Sequence, residues 1–358
     1  MFRLAATGRA VLIALLTLAP AATGHGEVER IESTEVPAPS LTGNRLGSPD
    51  VQRAAIYLPP SYHLALSRRY PVLYLLHGIF DTPEVWDRFF RISESLDRAI
   101  AAGAVGELIV VMPAGGNDLG GGFYRNSTVA GGWGDFVRRD LVTFVDANYR
   151  TLPRREARAI AGHSMGGFGA VWHAMTSADV FSVAYAMSPG LLGIDDDISH
   201  GNPEGWQGLL EMRGEEGLAA ALERRDFWPV AAWAVCTSFL PDPDDEIYLC
   251  EPPYRTERGE LVPETRVIDR FRDALPLYTA VRYLPALRSL HGLALDYGLS
   301  DQFSHIPDTT QAFSEVLAEL GVAHELSVYD GDHRQQIGER LETVVLPWIT
   351  KHLEPPSP

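Results

Sequence analysis

A chain of 358 residues with 46% hydrophobic side chains is long enough for one large α/β domain or two small ones, with a full core. Its formal net charge of -17, with no basic stripe, opposes phosphate binding and argues against nucleic acid as a partner.

The N-terminus has the layout of an export signal. Arg3 and Arg9 supply positive charge, residues 10–19 (AVLIALLTLA) an apolar run, and residues 20–24 (PAATG) small side chains for cleavage after Ala21 or Ala22. This predicts a signal peptide over residues 1–22 and an exported protein, periplasmic or extracellular. The run is short for a bilayer span, no comparable run follows, and no cysteine lies near the cleavage region, so no membrane anchor is expected. In an exported chain the two cysteines, Cys236 and Cys250, are expected to pair.

The remainder predicts one domain over residues 28–354. Residues 31–36 and 51–58 read as strands joined by a proline- and glycine-broken loop, an antiparallel start to a sheet. Residues 71–76 (PVLYLL) form a continuous apolar run, as a central strand covered on both faces requires. After the turn at His77-Gly78-Ile79-Phe80-Asp81, residues 83–102 read as a helix and 108–112 (LIVVM) as another buried strand. A long glycine-rich, aromatic loop follows to Gly132, of the kind that lines sites at strand ends. Residues 135–149 read as an amphipathic helix, 157–161 as a strand, 168–177 as a helix and 183–187 (VAYAM) as a strand. This alternation predicts a mostly parallel sheet with helices on both faces.

From 191 to 290 the rhythm breaks. This acidic, proline-containing segment holds Trp206, Phe227, Trp228, Trp233 and both cysteines, with a helix expected near 203–224. It reads as an insertion or cap. The alternation resumes with a strand at 292–297, a helix at 306–320, a strand at 324–329 and a closing helix at 335–352.

The chain is organised around residues 162–167 (GHSMGG), which fit the G-x-S-x-G elbow between a strand and a helix. A serine hydroxyl needs a base to take its proton and an acid to orient that base. In α/β-hydrolases the three follow in the order Ser, Asp or Glu, His. The ends of the last two core strands supply Asp301 and His333, with Asp296 as the rival acid inside its strand. The two N–H groups facing the developing oxyanion are expected from Met165 and from the turn after Leu76, at Ile79 with Phe80 as rival. No H-E-x-x-H or paired C-x-x-C is present, so no metal site is expected. Residues 195–197 and 242–246 read as solvated acidic loops rather than calcium sites.

Together these stretches resemble the esterase D-like "putative esterase" family of the α/β-hydrolase fold. The residues that carry the likeness are 57–62 (YLPPSY), 70–78 (YPVLYLLHG), 162–167 (GHSMGG), 296–301 (DYGLSD) and 330–333 (DGDH). That family includes feruloyl and acetylxylan esterases, S-formylglutathione hydrolases, siderophore esterases and mycobacterial mycolyltransferases. The resemblance implies an α/β-hydrolase fold with Ser164 as nucleophile, Asp301 as acid and His333 as base, and supports Ile79 and Met165 as oxyanion donors. It covers about 28–189 and 292–352 and leaves the middle segment unaccounted for. Arg334-Gln335 depart from the aromatic-rich stretch that follows this histidine in many relatives.

The expectation is therefore an exported serine esterase without cofactor, acting on small-molecule or carbohydrate esters, including sugar-linked or aromatic acyl esters. An acyltransferase of the mycolyltransferase type would use the same triad. A non-catalytic binding protein on this fold is disfavoured by the presence of all three triad residues.

Overall fold

A computed structural model describes residues 30–357 apart from His200, Arg213 and Arg225. The expected signal peptide lies outside the described residues. The strands are β1 (Ile31–Pro37), β2 (Val51–Tyr57), β3 (Val72–Leu76), β4 (Ile109–Pro113), β5 (Arg158–His163), β6 (Val183–Met187), β7 (Gly292–Gly298) and β8 (Glu325–Tyr329), the central ones continuous apolar runs bounded by turns. They form one eight-stranded sheet in the order β1-β2-β4-β3-β5-β6-β7-β8. β1 pairs with β2 and β2 with β4 antiparallel, and every other pairing is parallel. This is the α/β-hydrolase fold.

Strand periodicity of two sends alternate side chains to opposite cores. On β3, Tyr74 and Leu76 join the core on one face, and Leu73 and Leu75 the core on the other. A strand buried on both faces has no polar side, which is why PVLYLL reads as unbroken apolar sequence. β8 closes the sheet and is nowhere fully buried, so its sequence mixes polar and apolar residues. The register sets Leu76 opposite Gly162, Gly162 opposite Ala186, Met187 opposite Asp296, and Gly298 opposite Tyr329. The carboxyl ends of β3, β5, β6, β7 and β8 therefore stand side by side, where open α/β sheets place their ligands.

Three helices matter to the site: α1 (Met165–Thr176), α2 (Phe227–Phe239) and α3 (His305–Glu319). α1 starts three residues earlier than its sequence pattern suggests, because the elbow feeds directly into it through the Phe168 N–H to Ser164 carbonyl bond of 2.9 Å. The helix expected over 83–102 breaks at Arg91, whose φ of 51° interrupts it between Val85–Arg88 and Ile92–Ala101. The single helix expected near 203–224 is two, Pro203–Glu211 and Gly214–Arg224.

Sequence reading missed α2, and the reason is its environment. It is buried on nearly every side from Pro229 to Phe239, so it shows no amphipathic stripe. Pro229 sits in its first turn, where backbone N–H groups lack intrahelical acceptors and the missing donor costs nothing. Also unread was the hairpin of Tyr254–Glu257 and Glu260–Pro263, whose two-residue turn Arg258-Gly259 is left-handed at both positions (φ 53° and 87°).

α2 is fixed to the rest of the chain at several points. Cys236 and Cys250 form a disulfide with Cα atoms 5.7 Å apart. Closing a loop of this length contributes about 3 kcal/mol by restricting the unfolded chain. Beside Cys236, at the same C-terminal end of α2, the Ser127 hydroxyl donates to the Thr237 carbonyl at 2.6 Å and Arg125 to the Ser238 carbonyl at 3.0 Å. The Arg125 guanidinium also lies 4.6 Å from the Phe239 ring centroid and 5.0 Å from that of Trp172. The glycine-rich loop after β4 is thereby tied to the 191–290 segment.

Candidate active site

Ser164 has φ 59° and ψ -118°, a conformation that non-glycine residues rarely hold. Two glycines make it possible. A Cβ on Gly162 would strike the backbone of Gly166, and one on Gly166 would strike the Leu76 carbonyl. With both absent, β5 turns into α1 within one residue. Half-buried Ser164 is left at the wall of a cavity of about 290 Å³.

His333 follows β8 and lines the same cavity. Its Nδ1 lies 2.7 Å from Asp301 Oδ2, and both side chains are almost fully enclosed. A carboxylate can only accept, so Nδ1 carries the proton and Nε2 is the basic nitrogen. Asp301 uses its other oxygen to accept the Phe303 N–H at 3.0 Å, which fixes the turn as well as the imidazole. The structure thus brings Ser164, Asp301 and His333 to one place.

Asp296, the rival acid, has no contact with His333. It is fully buried and bound to Arg340 at 2.7 Å, the Tyr185 hydroxyl at 3.0 Å and the Ser188 N–H at 3.2 Å. Burial pushes its carboxyl above the ordinary range, and the Arg340 guanidinium opposes that shift. Its work is to hold the turn after β6. Asp296→Ala would leave Arg340 enclosed without a counter-charge and is expected to cost about 3–5 kcal/mol. Urea unfolding of the purified variant measures this; a loss under 1 kcal/mol would contradict the pairing.

At the oxyanion side, Ile79 and Met165 both line the cavity. Met165 opens α1, so its N–H has no intrahelical acceptor. The Phe80 N–H is already given to the Gly120 carbonyl at 2.9 Å, whereas the Ile79 N–H meets no acceptor among the described residues. That difference separates the two rivals. His77 braces this turn. Its Nδ1–H donates to the Gly78 carbonyl at 2.8 Å, and its Nε2 accepts the Gly115 N–H at 2.9 Å. Both bonds require the neutral ring, and burial pushes its pKa below the ordinary value, in agreement.

His163, beside the serine, also lines the cavity and bears on the site through His333. Its Nε2–H donates to the His333 carbonyl at 2.8 Å, and the two rings lie 4.4 Å apart. Desolvation, and then the nearby His333, hold its pKa well below the ordinary value. Sequence spacing gave no sign of this support.

Part of the cavity wall is aromatic, formed by Phe123, Phe227, Trp228 and Phe303. Phe80 from the oxyanion turn meets Phe227 of α2 at 5.4 Å between ring centroids, Phe227 meets Phe303 at 5.7 Å, and Phe303 meets His333 at 4.9 Å. A line of rings therefore runs from one side of the site to the other through the 191–290 segment. Each such contact contributes about 0.5–1.5 kcal/mol beyond its buried area. Arg334, about half-exposed, reaches Asp81 at 3.3 Å, and both line the cavity. Also facing the cavity is His305, bound to Asp197, a pair that the sequence did not single out. Among the described residues no group of three or more His, Cys, Asp or Glu side chains could hold a metal ion. No helix among them is long and apolar enough to cross a membrane.

Chemically, the arrangement offers a hydroxyl, a base with a buried orienting acid, and two unengaged N–H groups around one enclosed space. Comparison with known proteins finds esterases. Esterase MT1326 of Mycobacterium tuberculosis is 40% identical over 192 residues, which are 52% of this chain and 33% of that protein. An endo-1,4-beta-xylanase/feruloyl esterase of Xylanibacter ruminicola is 35% identical over 121 residues, 33% of this chain and 16% of that protein. The chain thus spans a third or less of the length of these relatives. Among solved structures, a ferulic acid esterase superposes with a TM-score of 0.60 at 23% identity, covering 90% of this chain and 98% of its own, a likeness of fold. Residues 49–228, which run from just before β2 through the elbow to the first turn of α2, match the "Putative esterase" family, and the chain belongs to that family.

Proposed function

We propose that the protein is a serine esterase that hydrolyses carboxylic esters, with Ser164 as nucleophile, His333 as base and Asp301 as the acid that orients it. The Ser164 Oγ attacks the ester carbonyl while His333 Nε2 takes its proton. The carbonyl oxygen becomes an oxyanion held by the Ile79 and Met165 N–H groups, each worth roughly 3–4 kcal/mol of barrier. His333 then returns the proton to the leaving alcohol, and an acyl-Ser164 remains. Water, deprotonated by His333, attacks that ester by the same steps and releases the acid. No cofactor enters the cycle. The observation that carries this reading is the 2.7 Å contact between Asp301 and His333 on the wall of the cavity that Ser164 lines.

The cavity also supports a choice of acyl group. About 290 Å³ is at the small end of ligand pockets, which run roughly 300–1,000 Å³. That suits a short or single-ring acyl group, and the rings of Phe227 and Phe303 favour an aromatic one. The relative from Xylanibacter ruminicola carries feruloyl esterase in its name. A long-chain acyltransferase, the other use of the same triad, would need more room. Export is part of the same proposal: residues 1–22 have the composition of a signal peptide, and a disulfide suits an oxidising compartment.

The test is a panel of feruloyl, acetyl-sugar, short aryl and acyl-thiol esters with the purified protein, followed with and without a sugar acceptor. Hydrolysis of aryl and feruloyl esters, with the free acid as product in both conditions, is the expected result. Transfer to the sugar in preference to water would make the protein an acyltransferase.

A further inference from the structure

The cavity holds a second histidine–carboxylate pair that the reaction does not use. His305 opens α3, and its Nδ1 lies 2.7 Å from Asp197 Oδ1, which also receives the His305 N–H at 3.2 Å. Asp197 comes from the short turn Asp196–Ile198 in the 191–290 segment, so the pair bridges that segment to the core. The side chains are 7% and 14% exposed, and the imidazole lines the cavity. Of the three histidines that line the cavity, Phe303 lies beside two, with its ring centroid 4.9 Å from that of His333 and 6.4 Å from that of His305. A single aromatic ring therefore separates the base that serves Ser164 from a second imidazole along the same wall.

The tautomer decides what His305 can recognise. Asp197 can only accept, so Nδ1 carries the proton and the neutral ring presents Nε2 as a bare lone pair. Among the described residues nothing donates to that nitrogen. In a cavity lined mainly by apolar side chains it is an acceptor without a donor among the described residues. An anchor joining two segments would be served as well by any side chain that donates to Asp197; a ring turned into the cavity adds an acceptor there.

We propose that His305, oriented by Asp197, is the specificity-determining residue for the acyl group. It accepts a hydrogen bond from a hydroxyl on an aromatic acyl group whose ring lies along Phe303. This rests on the aromatic-acyl reading above and adds the requirement for a hydroxyl donor at the end of the ring away from the ester. An ether at that position has no proton to give and leaves the His305 nitrogen unpaired.

Binding of free acids tests this without turnover. Calorimetry with the wild-type protein compares 3-(4-hydroxyphenyl)propanoic acid with its 4-methoxy and unsubstituted counterparts. The hydroxylated acid is expected to bind about tenfold or more tightly than either. In His305→Phe, which keeps a ring but removes the acceptor, the three should bind within about threefold of one another. In His305→Gln, whose amide oxygen can accept, part of the preference should return. Equal binding of the hydroxyl and methoxy acids to the wild type, or no binding of any, overturns the proposal. So does a uniform loss across all three ligands in His305→Phe, which would leave the pair a structural tie. The wild-type comparison stands whether or not the variants fold. A hydroxyl preference without hydrolysis in the ester panel would refute the esterase reading and keep this one.

Discussion

Replacing Ser164 by alanine is expected to lower kcat on short aryl esters by roughly five to six orders of magnitude, with the unfolding midpoint unchanged. The size follows from the division of labour in the site. Without the hydroxyl, His333 and Asp301 have no proton to manage, because base and nucleophile act as a unit. What survives is catalysis by positioning and by the Ile79 and Met165 N–H groups, which accelerate water attack by a residual factor of about 10³–10⁴. The fold should not notice the change. Alanine retains the Cβ that already occupies the left-handed conformation, and the glycines on either side of the elbow are untouched. Stopped-flow and steady-state rates, with a thermal melt on the same sample, measure both halves. Turnover within a hundredfold of wild type would sink Ser164 as nucleophile. A large fall in melting temperature would mean that the loss had a structural origin.

Acidification is expected to destabilise the protein well before its carboxylates titrate. His77, His163 and His173 are all nearly inaccessible, and burial lowers the pKa of each, that of His173 to about 3. The unfolded chain takes up their protons below about pH 6.5, the ordinary histidine value, while the folded chain does not. Protons therefore favour the unfolded state. Stability is complete above about pH 6.5 and falls as the pH drops through the interval down to the folded pKa values. Each group contributes a slope of up to about 1.4 kcal/mol per pH unit, so three acting together approach 4 kcal/mol per unit.

Asp296 works in the opposite direction, because burial raises its pKa and the folded state binds that proton more readily, but its effect begins nearer the carboxylate range. Urea unfolding at pH 7.5, 6.5, 5.5 and 5.0 isolates the histidines. A flat free energy across these points would mean that the three rings are protonated in the fold. The consequence reaches the site directly. A protonated His77 could no longer accept the Gly115 N–H, and the turn that presents Ile79 would lose its brace.

How much of this was legible beforehand follows from the range of the interactions. The elbow could be read from six residues because its constraint is local: a serine in a left-handed turn needs a missing Cβ on each side. The core strands could be read because burial on both faces leaves continuous apolar runs. The order of Ser164, Asp301 and His333 along the chain, each just past a strand, made them candidates without showing any contact among them.

Tertiary structure decided the rest. Only the parallel register of β7 and β8 sets Asp301 against His333 and leaves Asp296 facing Arg340, because five residues along a strand and its turn carry the two carboxyls to different neighbours. Only the fold shows that Gly120 has taken the Phe80 N–H and left that of Ile79 unengaged. α2 escaped sequence reading because a helix buried all round shows no periodicity, and it supplies the cavity wall. His305 and Asp197 stand 108 positions apart, and the local sequence of neither hints at the other. Short-range rules such as turn sterics and strand burial are written into neighbouring residues. The shape and polarity of the cavity are set by side chains from segments distant in the chain, and those are determined only once the sheet has closed around them.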